Sequence, residues 1–524
     1  MDRLTLTGEQ HVYKTNIFGF IQRLEVKMMS NTQNNTFVST TSNITNWSSI
    51  DWKKAEKYVD KIQKRIYRAE SEGDYRKVRD LQRLLGRSAY VQLLAIRRVT
   101  QTNKGKRTAG IDGFRALSDK QRMELFYKIR NRNINLHKPK PALRKYIEKK
   151  NGKMRPLSIP VIMDRIYQEI LRMALEPQWE FRFEPTSYGF RPKRSIHDAA
   201  ERIFNYIHQG NWVYVYEGDF KSCFDNLDHS FILKQIKGFP YIKLIERFLK
   251  AGYVDNSMFY HTDKGTPQGG LLSPLLANIA LNGMEDCLNI SYKKVTYNRN
   301  GKPHTTYKTR GKYRMTRYAD DFVIFAKTEE DILEIPNILE PYLVKRGLTL
   351  AEDKTKISHL RDGFDFLGLN FRVYYNKKGH KTLIKPSKDS IKKARNKISD
   401  IYEMMKGSNV DSLIEVVNPV IRGIANFWKP YVSKDIFSQM DYYIWIKNNK
   451  FLKWLHPKKS KKWIKSKYYP PYDDGRHKDN WTLTGPKNGQ HIVKMAWYPI
   501  KRHTMIKFNY SPYDASKSDY FANR

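Results

Sequence analysis

The segment YRMTRYADDFVIFA (Tyr313–Ala326) is the part of the sequence that decides the fold. Apolar and aromatic residues lie on both sides of Tyr318-Ala319-Asp320-Asp321, as in two short strands joined by a tight turn. In such an antiparallel hairpin both Asp320 and Asp321 lie at the turn. The predicted sheet therefore carries two adjacent carboxylates at one end.

A third carboxylate follows an earlier apolar run. The run from Trp212 to Tyr216 is compact and aromatic, which predicts a buried strand, and it leads into Glu217-Gly218-Asp219. Three carboxylates brought together without a cation would repel one another strongly. Mg²⁺ suits such a site, because it takes oxygen ligands and shares its coordination with substrate phosphates.

These acids predict a catalytic metal site for nucleotidyl transfer. Two metal ions about 3.5–4 Å apart can support the in-line displacement that this reaction needs. We expect two Mg²⁺ ions, for which Mn²⁺ could substitute, bound by Asp219, Asp320 and Asp321. The alternative is a turn or a helix cap, which is the commoner role of an isolated Asp-Asp pair.

Other motifs accompany the acids in a definite order and favour the metal site over a cap. They are YGFRPKRS (Tyr188–Ser195), DFKSCFDNLDH (Asp219–His229), GTPQGGLLSP (Gly265–Pro274), GLTLAEDKTK (Gly347–Lys356), Phe366-Leu367-Gly368 and NPVIRGIANFW (Asn418–Trp428). In this order they resemble the motifs of reverse transcriptases, and the extended pattern resembles the bacterial group II intron-encoded type. The resemblance spans roughly residues 50 to 515, and Asn418–Trp428 is similar to the maturase, or thumb, segment of intron proteins.

The resemblance implies roles for residues around the nucleotide. Lys354 would protonate the leaving pyrophosphate as a general acid, although Lys356 remains an alternative. Phe224 matches the steric gate that excludes a ribose 2′-hydroxyl, while the alternative for it is a core phenylalanine. Further nucleotide contacts are implied for Lys153, Arg155, Phe220, Gln268 and Gly269. For Lys153 and Arg155 the alternative is a solvated basic hairpin.

The resemblance also implies contacts with template and primer. These fall on Arg191 and Lys193 in the motif before Asp219, and on Phe366, Leu367 and Gly368, which match the primer grip. A lysine-rich stretch from Lys447 to Lys467 contains no acid and would follow a phosphate backbone, with its tryptophans free to stack on bases. We expect contacts there from Lys453, Trp454, Lys461, Lys462 and Trp463. The alternative is a solvated charged face.

Composition agrees with a nucleic-acid partner. The 524 residues include 96 Lys and Arg against 53 Asp and Glu, a formal net charge of +43 that favours a polyanion. The sequence contains no apolar run long enough to span a membrane, which favours a protein of the bacterial cytoplasm, associated with RNA or the nucleoid. With only Cys223 and Cys287, a disulfide framework and a zinc site of cysteine pairs are excluded.

The expected fold class is α+β, as a right-hand polymerase with fingers, an antiparallel palm sheet and a helical thumb. Periodic apolar residues from Trp52 predict a helix. The segment from Tyr146 to Pro160 predicts a hairpin with a turn at Asn151-Gly152. We expect five regions in chain order: a loose tail at 1–48, a helical N-terminal extension at 49–135, fingers and palm at 136–380, a thumb or maturase domain at 381–468, and a DNA-binding-like module without an endonuclease at 469–524.

The leading functional hypothesis is an RNA-directed DNA polymerase that adds dNTPs to a primer 3′-end and also binds intron RNA as a maturase. Its partners would be an RNA template, a structured intron RNA, a DNA primer or target, and dNTPs. One alternative is a related polymerase used in antiviral defence or DNA repair. Another is an RNA-binding splicing cofactor in which polymerisation is secondary. With no cysteine after Cys287, we expect no cysteine-containing endonuclease.

Overall fold

The computed structural model describes residues 46–130, 132–148, 152, 154–377 and 379–524. Most of the predicted loose tail, the turn residue Asn151 and the predicted ligand Lys153 therefore lie outside the described residues. The tail prediction is wrong at its end, because Trp47 is only 2% exposed and packs into the main core. The fold has therefore begun by Trp47.

A group of helices opens the described chain. They are α1 (Trp52–Ser71), α2 (Tyr75–Arg87), α3 (Ala89–Arg97) and α4 (Asp119–Arg130). In α1 the periodic residues Ala55, Val59, Ile62 and Ile66 are all buried, which confirms the predicted amphipathic helix. Asp51 accepts a hydrogen bond from the backbone N–H of Lys54 and so caps the helix start.

A four-stranded sheet follows, built around the predicted hairpin. Its strands are β1 (Ala142–Glu148), β2 (Met154–Ile159), β4 (Tyr253–Asp255) and β5 (Met258–Tyr260), in the order β2-β1-β4-β5. The antiparallel pairing of β1 with β2 confirms the hairpin. After β2 the chain enters the long helix α5 (Ile162–Arg182), most of which is buried.

The central sheet carries the acidic residues and is antiparallel throughout. It consists of β3 (Tyr214–Gly218), β8 (Arg314–Tyr318), β9 (Asp321–Ala326) and β10 (Lys356–His359), in the order β10-β3-β9-β8. Tyr318 pairs with Asp321 across the β8–β9 turn, which confirms the hairpin predicted for Tyr313–Ala326. Apolar residues of β3 and β9 are buried on both faces of the sheet.

Helices α6 to α13 pack around the central sheet or connect its strands. They are α6 (Ile196–Ile207), α7 (Cys223–Asn226), α8 (His229–Gln235), α9 (Ile242–Leu249), α10 (Ser273–Ala280), α11 (Met284–Cys287), α12 (Glu329–Leu333) and α13 (Ile335–Val344). A two-stranded ribbon, β6 (Ser291–Arg299) with β7 (Lys302–Arg310), extends between α11 and β8. A three-stranded sheet, β11 (Phe364–Phe366), β12 (Leu369–Asn376) and β13 (Gly379–Pro386), ends this part of the fold.

The C-terminal part begins as a helical unit with its own core. Its helices are α14 (Lys388–Met404), α15 (Val410–Trp428), α16 (Lys434–Leu455) and α17 (Lys461–Tyr468). The chain beyond is mostly irregular, as expected, with only the short strands β14 (Tyr472–Asp473) and β15 (Lys478–Asp479) and the helix α18 (Ser518–Ala522). The structure combines helices with an antiparallel central sheet, which confirms the α+β class.

The last part of the chain returns to the sheet-bearing half. Asp198, in the first turn of α6, accepts hydrogen bonds from the Nε2 atom of His503 (3.0 Å) and the backbone N–H of Ile506 (2.7 Å), and it forms an ion pair with Arg524. The hydroxyl of Tyr513 donates to Glu176 of α5 at 2.6 Å. The two halves are therefore joined by buried polar contacts.

Within the residues that the structure describes, no helix combines sufficient length with sufficient apolar character to cross a bilayer.

Candidate active site

Three carboxylates, which we call the acidic triad (Asp219, Asp320 and Asp321), meet at one end of the central sheet. Asp219 follows β3, and the other two lie at the turn between β8 and β9. Because Gly218 pairs with Phe322 on neighbouring strands, Asp219 and Asp321 leave the sheet at the same edge. The structure therefore brings the three acids named from the sequence to one end of the sheet.

The turn that carries two of the acids adopts a strained backbone. Ala319 has φ of +59°, a left-handed conformation that is costly for a residue with a side chain. The chain at Gly189 passes so close that a Cβ atom there would clash with the backbone nitrogen of Ala319. Glycine at position 189 is therefore required for the turn to rest against this segment.

A buried arginine also supports the turn. Arg317 is 0% exposed, and its Nη1 atom donates to the carbonyl oxygen of Ala319 (3.1 Å) and to Oδ1 of Asn278 (3.2 Å). The amide of Asn278 in turn donates to the carbonyl oxygen of Gly189 at 2.8 Å. Sequence reasoning gave these residues no role. The signal was present, since a charged residue in the middle of an apolar strand needs a buried partner.

The electrostatics of the acidic triad favour a bound cation. Desolvation is the largest cause of the raised pKa of Asp320, and the charge of Asp219 adds to it. Desolvation, followed by the charges of Asp320 and Asp219, raises the pKa of Asp321 to about 6. The positive charges of Lys354 and Arg155 act in the opposite direction without cancelling these effects. A divalent cation would relieve the remaining repulsion.

Lys354 contacts the acidic triad directly. Its Nζ atom forms a hydrogen-bonded ion pair with Oδ2 of Asp219, and this bond raises the pKa of the lysine. Lys356 lies on β10 opposite Glu217, where its charge opposes the burial that raises the pKa of Glu217. Of the two lysines that the sequence left open, the structure places Lys354 beside the triad.

The donor set of the triad fits Mg²⁺, because all its ligands are carboxylate oxygens. Among the described residues, no three His, Cys, Asp or Glu side chains are already arranged as a closed metal cluster. In the triad, the Asp219 carboxylate binds Lys354 instead. A cation at the triad would therefore compete with Lys354 for the Oδ2 atom of Asp219.

The β1–β2 hairpin brings positive charge towards the acids. Arg155 is exposed on β2, opposite Ile147, and is close enough to lower the pKa of both Asp320 and Asp321. Its predicted partner Lys153 lies outside the described residues. The exposed guanidinium is thus available to a triphosphate bound above the triad.

The loop before α10 docks on the same hairpin. The carbonyl oxygen of Gln268 accepts a hydrogen bond from the backbone N–H of Ser158 on β2 at 2.6 Å. Gly269 has φ of +118°, and a Cβ atom there would approach the Ser158 carbonyl oxygen to 2.5 Å. The structure thus joins Gln268 and Gly269 to the strand that carries Arg155.

Phe224 lies on the short helix α7, five residues after Asp219. Its side chain is half-buried, and its ring approaches that of the exposed Phe190 with centroids 6.4 Å apart. Its carbonyl oxygen accepts from the backbone N–H of Thr266 at 2.6 Å. A partly accessible ring between these segments is consistent with the predicted steric gate.

Family models match most of the described chain in the order of the sequence motifs. They are the N-terminal domain of reverse transcriptase (residues 47–129), the reverse transcriptase or RNA-dependent DNA polymerase (residues 147–371) and the group II intron maturase-specific domain (residues 391–469). The group II intron-encoded protein LtrA of Lactococcus lactis subsp. cremoris is 31% identical over 437 residues, which cover 68% of this chain and 71% of that protein. The chain belongs to the group II intron-encoded reverse transcriptase/maturase family.

Two other proteins are similar to parts of this chain. Protein YkfC of Escherichia coli (strain K12) is 36% identical over 318 residues, or 55% of this reverse transcriptase and 82% of YkfC. A telomerase structure from Candida albicans, in complex with a fragment of telomeric RNA, covers 61% of this chain and 60% of that one. The sequence identity with that chain is 14%, and the TM-score is 0.36.

Family membership confirms the main functional prediction. The chain is an RNA-directed DNA polymerase of the right-hand type, and splicing is part of its function. Divalent metal ions and an RNA partner are general features of such enzymes. The matches do not favour the alternatives of a defence or repair polymerase or of a splicing cofactor with secondary polymerisation.

Three residues of this reverse transcriptase that were predicted to contact nucleotide or nucleic acid have buried side chains instead. Phe220 is 2% exposed and stacks on Phe322 with ring centroids 5.0 Å apart. Arg191 is buried in an ion pair with Glu180, at 2.8 Å. Phe366 belongs to the core beneath the three-stranded sheet. These predictions are corrected, because the side chains serve packing and pairing within the protein.

Other predicted nucleic-acid contacts remain accessible. Lys193 is exposed, and Leu367 and Gly368 form a half-buried turn with positive φ angles of 52° and 80°. Lys453, Lys461 and Lys462 are exposed, and Trp454 is 49% exposed on α16. Trp463 is half-buried, with the Nζ atoms of Lys459 and Lys467 at 5.2 and 4.8 Å from its ring centroid. The basic stretch therefore presents mainly Trp454 and its lysines to solvent.

Proposed function

We propose that the acidic triad binds two Mg²⁺ ions, replaceable by Mn²⁺, and that dNTPs are added there to a primer 3′-end. The observation that carries this proposal is the convergence of Asp219, Asp320 and Asp321 at one edge of the sheet. The raised pKa values of Asp320 and Asp321 and the all-oxygen donor set support the assignment. When bound, the two ions would activate the attacking hydroxyl and stabilise the leaving pyrophosphate.

The remaining residues of the site would position the substrate and move one proton. Lys354 holds a proton on Nζ beside the triad and would deliver it to the pyrophosphate oxygen as the bond to the α-phosphate breaks. Arg155, with Lys153, would bind the triphosphate, since a guanidinium forms paired hydrogen bonds with phosphate. Gln268 and Gly269 would flank the nucleotide, and Phe224 would exclude a 2′-hydroxyl.

For nucleic acid, we propose that residues 391–469 bind a structured intron RNA while template and primer pass over the triad. The match to a maturase-specific domain and the exposed Trp454 support this division. Contacts are proposed for Lys193, Leu367, Gly368, Lys453, Trp454, Lys461, Lys462 and Trp463. The regions 49–135, 136–380, 381–468 and 469–524 remain our proposed domain limits, and a bacterial cytoplasmic location, with RNA or the nucleoid, remains our proposed setting.

Primer extension on an RNA template tests the polymerase site. We expect Asp320→Ala to reduce dNTP incorporation by at least about 10³-fold, in line with loss of an essential electrostatic group. Asp80→Ala serves as a control, because Asp80 forms only an exposed ion pair with Arg83 on α2. Equal activity of the parent and Asp320→Ala would refute the site.

Splicing of a cognate intron by the same Asp320→Ala variant tests the proposed division of labour. Because RNA binding by residues 391–469 needs no metal at the triad, splicing should stay within about twofold of the parent. A loss of splicing that matches the loss of polymerisation would contradict the proposal that RNA binding is separate from the triad.

A further inference from the structure

A cavity of about 280 Å³ lies away from the acidic triad, between α16 and the irregular segment after α17. Its walls include three aromatic side chains and three charged ones, namely Tyr442, Trp445 and Trp481, and Asp441, Asp479 and Lys494. We call it the aromatic pocket. Its volume falls just below the roughly 300–1,000 Å³ of typical small-molecule sites, which suits a ligand fragment of one ring system.

The aromatic pocket keeps large flat surfaces open. Trp481 is 44% exposed and Tyr442 is 64% exposed, in contrast to the buried aromatics of the neighbouring core. The rings of Trp445 and Trp481 are nearly perpendicular, with centroids 6.0 Å apart, and Tyr442 lies almost parallel to Trp445 at 5.8 Å. The exposed rings of Tyr442 and Trp481 are both held by Trp445, so they offer flat surfaces on which a base can stack.

One donor at the pocket lacks a partner. The indole Nε1–H of Trp445 is buried and finds no acceptor among the residues that the structure describes. A buried donor left without an acceptor costs stability, and a ligand with an acceptor in the plane of a ring would satisfy it. The ligand should therefore be flat and carry an acceptor atom.

The carboxylates of the pocket are already satisfied within the protein. Asp479 forms an ion pair with Lys494 at 2.5 Å, and Asp441 accepts the backbone N–H groups of Met495 and Ala496, each at 2.8 Å. The Nζ atom of Lys465 lies 4.5 Å from the ring centroid of Trp481. This lysine would repel a cationic ligand. It would attract a neutral ring that carries a phosphate.

We propose that the aromatic pocket binds one unpaired nucleobase of RNA, which stacks on Trp481, accepts the Trp445 N–H and places a flanking phosphate near Lys465. The inference rests on the RNA binding proposed above for residues 391–469 and extends it to a specific site. The pocket joins α16, within that region, to residues 479–494 beyond it. The bound base would thus hold two segments of the chain together.

Photocrosslinking with the full chain tests the proposal. The probe is a single-stranded oligouridine of about twelve nucleotides with one central 4-thiouridine, and mass spectrometry locates the attached peptide. We expect a crosslink to the peptide that contains Trp481 or to the part of α16 that contains Tyr442 and Trp445. Trp481→Ala should abolish it, while Trp481→Phe should retain much of it, because a smaller ring still stacks.

Affinity measurements with the same oligonucleotide separate binding from folding. Stacking of one base is worth about 1–3 kcal/mol, so Trp481→Ala should weaken binding about 5- to 100-fold. Trp445→Phe keeps a ring but removes the unpaired N–H. We expect it to weaken binding about fivefold while the protein stays folded, because no side-chain hydrogen bond among the described residues is lost. Tyr75→Ala, at an exposed aromatic on α2, is the matched control.

The outcomes distinguish the pocket from the wider function. Normal RNA binding by the parent with no crosslink at either segment overturns the pocket alone, whereas absence of RNA binding by the parent counts against the proposed function. Unchanged affinity in both Trp481→Ala and Trp445→Phe also overturns the pocket. A crosslink with RNA, alone or equally with the matching DNA, supports the proposal, and a crosslink with DNA alone overturns the assignment to RNA.

Discussion

At the scale of single residues, Lys354 and Lys356 show how two similar side chains acquire different surroundings. Lys354 follows the turn after Ala351 and reaches Asp219, whereas Lys356 begins β10 and lies beside Glu217. Lys354 is therefore the one of the two that contacts the acidic triad. The two lysines therefore form a matched pair for mutation.

We expect Lys354→Ala to lower kcat for dNTP incorporation by about 10²-fold or more, because a positioned general acid contributes about 10²–10⁴-fold. Lys356→Ala should change kcat by less than about threefold. Single-turnover primer extension on an RNA template measures both. Similar losses in the two variants would show that net charge, and not the position of one amine, matters.

We expect the Phe224 ring to control the choice between deoxyribose and ribose. Replacing its half-buried ring by valine should open space for a ribose 2′-hydroxyl. Discrimination by shape alone is worth about 10–200-fold, so the preference for dNTPs over rNTPs should fall by about that factor. The ratio of kcat/KM for one dNTP and its rNTP measures the effect. An unchanged ratio would assign Phe224 to packing.

The sequence identified the three acids, but it did not show which neighbouring side chains point into the core and which point away from it. Phe220 and Phe224 are both aromatic and close to Asp219, yet one is in the core and the other faces Phe190. Between them Ser222 has φ of +48°, which reverses the chain after the strand. Strand alternation does not extend through such a turn, so the sequence could not separate the two rings.

At the scale of secondary-structure elements, the β8–β9 turn depends on the segment that passes behind it. Arg317 donates its backbone N–H to Thr186, and Tyr188 donates to Arg317, so this segment runs beside β8 up to Gly189. The close approach of Gly189 to Ala319 then supports the left-handed backbone conformation of Ala319. The geometry of the two acids is thus set by an element more than 100 residues earlier.

We expect Gly189→Ala to displace the turn and reduce primer extension by at least about tenfold, since small displacements at a catalytic group have large effects. Gly423→Ala is the control, because a Cβ atom at this position in α15 would meet nothing within 4 Å. That change should leave activity intact and stabilise the helix by up to about 1 kcal/mol. Full activity in Gly189→Ala would show that the turn does not need this support.

Elements were predictable where apolar periodicity continued without interruption. The spacing of the apolar residues predicts the helix α1 and the strands around the acidic triad, and the turn residues predict where the strands end. This works because the buried positions set the spacing. The aromatic pocket was not predictable in this way. Its walls come from α16 and from a segment with almost no regular structure, whose position depends on long-range contacts such as Met495 with Asp441.

At the scale of the whole molecule, Asp198 joins the beginning of α6 to the end of the chain. Burial opposes ionisation of this carboxyl group, but hydrogen bonds from His503, Ile506 and Ser195 and the charge of Arg524 hold its pKa well below the usual value. Beside it, Arg502 forms an ion pair with Glu201 at 2.8 Å. Residues 502–524 thus hold α6 in place through polar contacts, and we call them the clasp on α6.

The depressed pKa of Asp198 predicts how stability depends on pH. A carboxylate with a lowered pKa in the folded state stabilises the protein above its unfolded pKa of about 3.9, and this contribution is lost as the pH falls below that value. Asp198→Asn should therefore reduce the free energy of unfolding by about 3 kcal/mol near pH 7. The difference from the parent should shrink as the pH is lowered through about 4.

Urea denaturation of both proteins at several pH values measures this difference. Asp80→Asn is the control, because its exposed ion pair with Arg83 is worth less than about 1 kcal/mol. A gap between parent and Asp198→Asn that stays constant down to about pH 3 would contradict the assignment of the stabilisation to the ionised carboxylate.

The clasp on α6 also bears on the order in which the chain folds. Asp198 is separated from its partners in residues 502–524 by more than 300 residues, for example 308 for Ile506 and 326 for Arg524. A ribosome adds about 5–20 residues per second, so α6 leaves the tunnel roughly 15 to 60 seconds before its last partners. During that interval the nascent catalytic region lacks its final contacts, and the enzyme reaches full stability only when residues 502–524 have emerged.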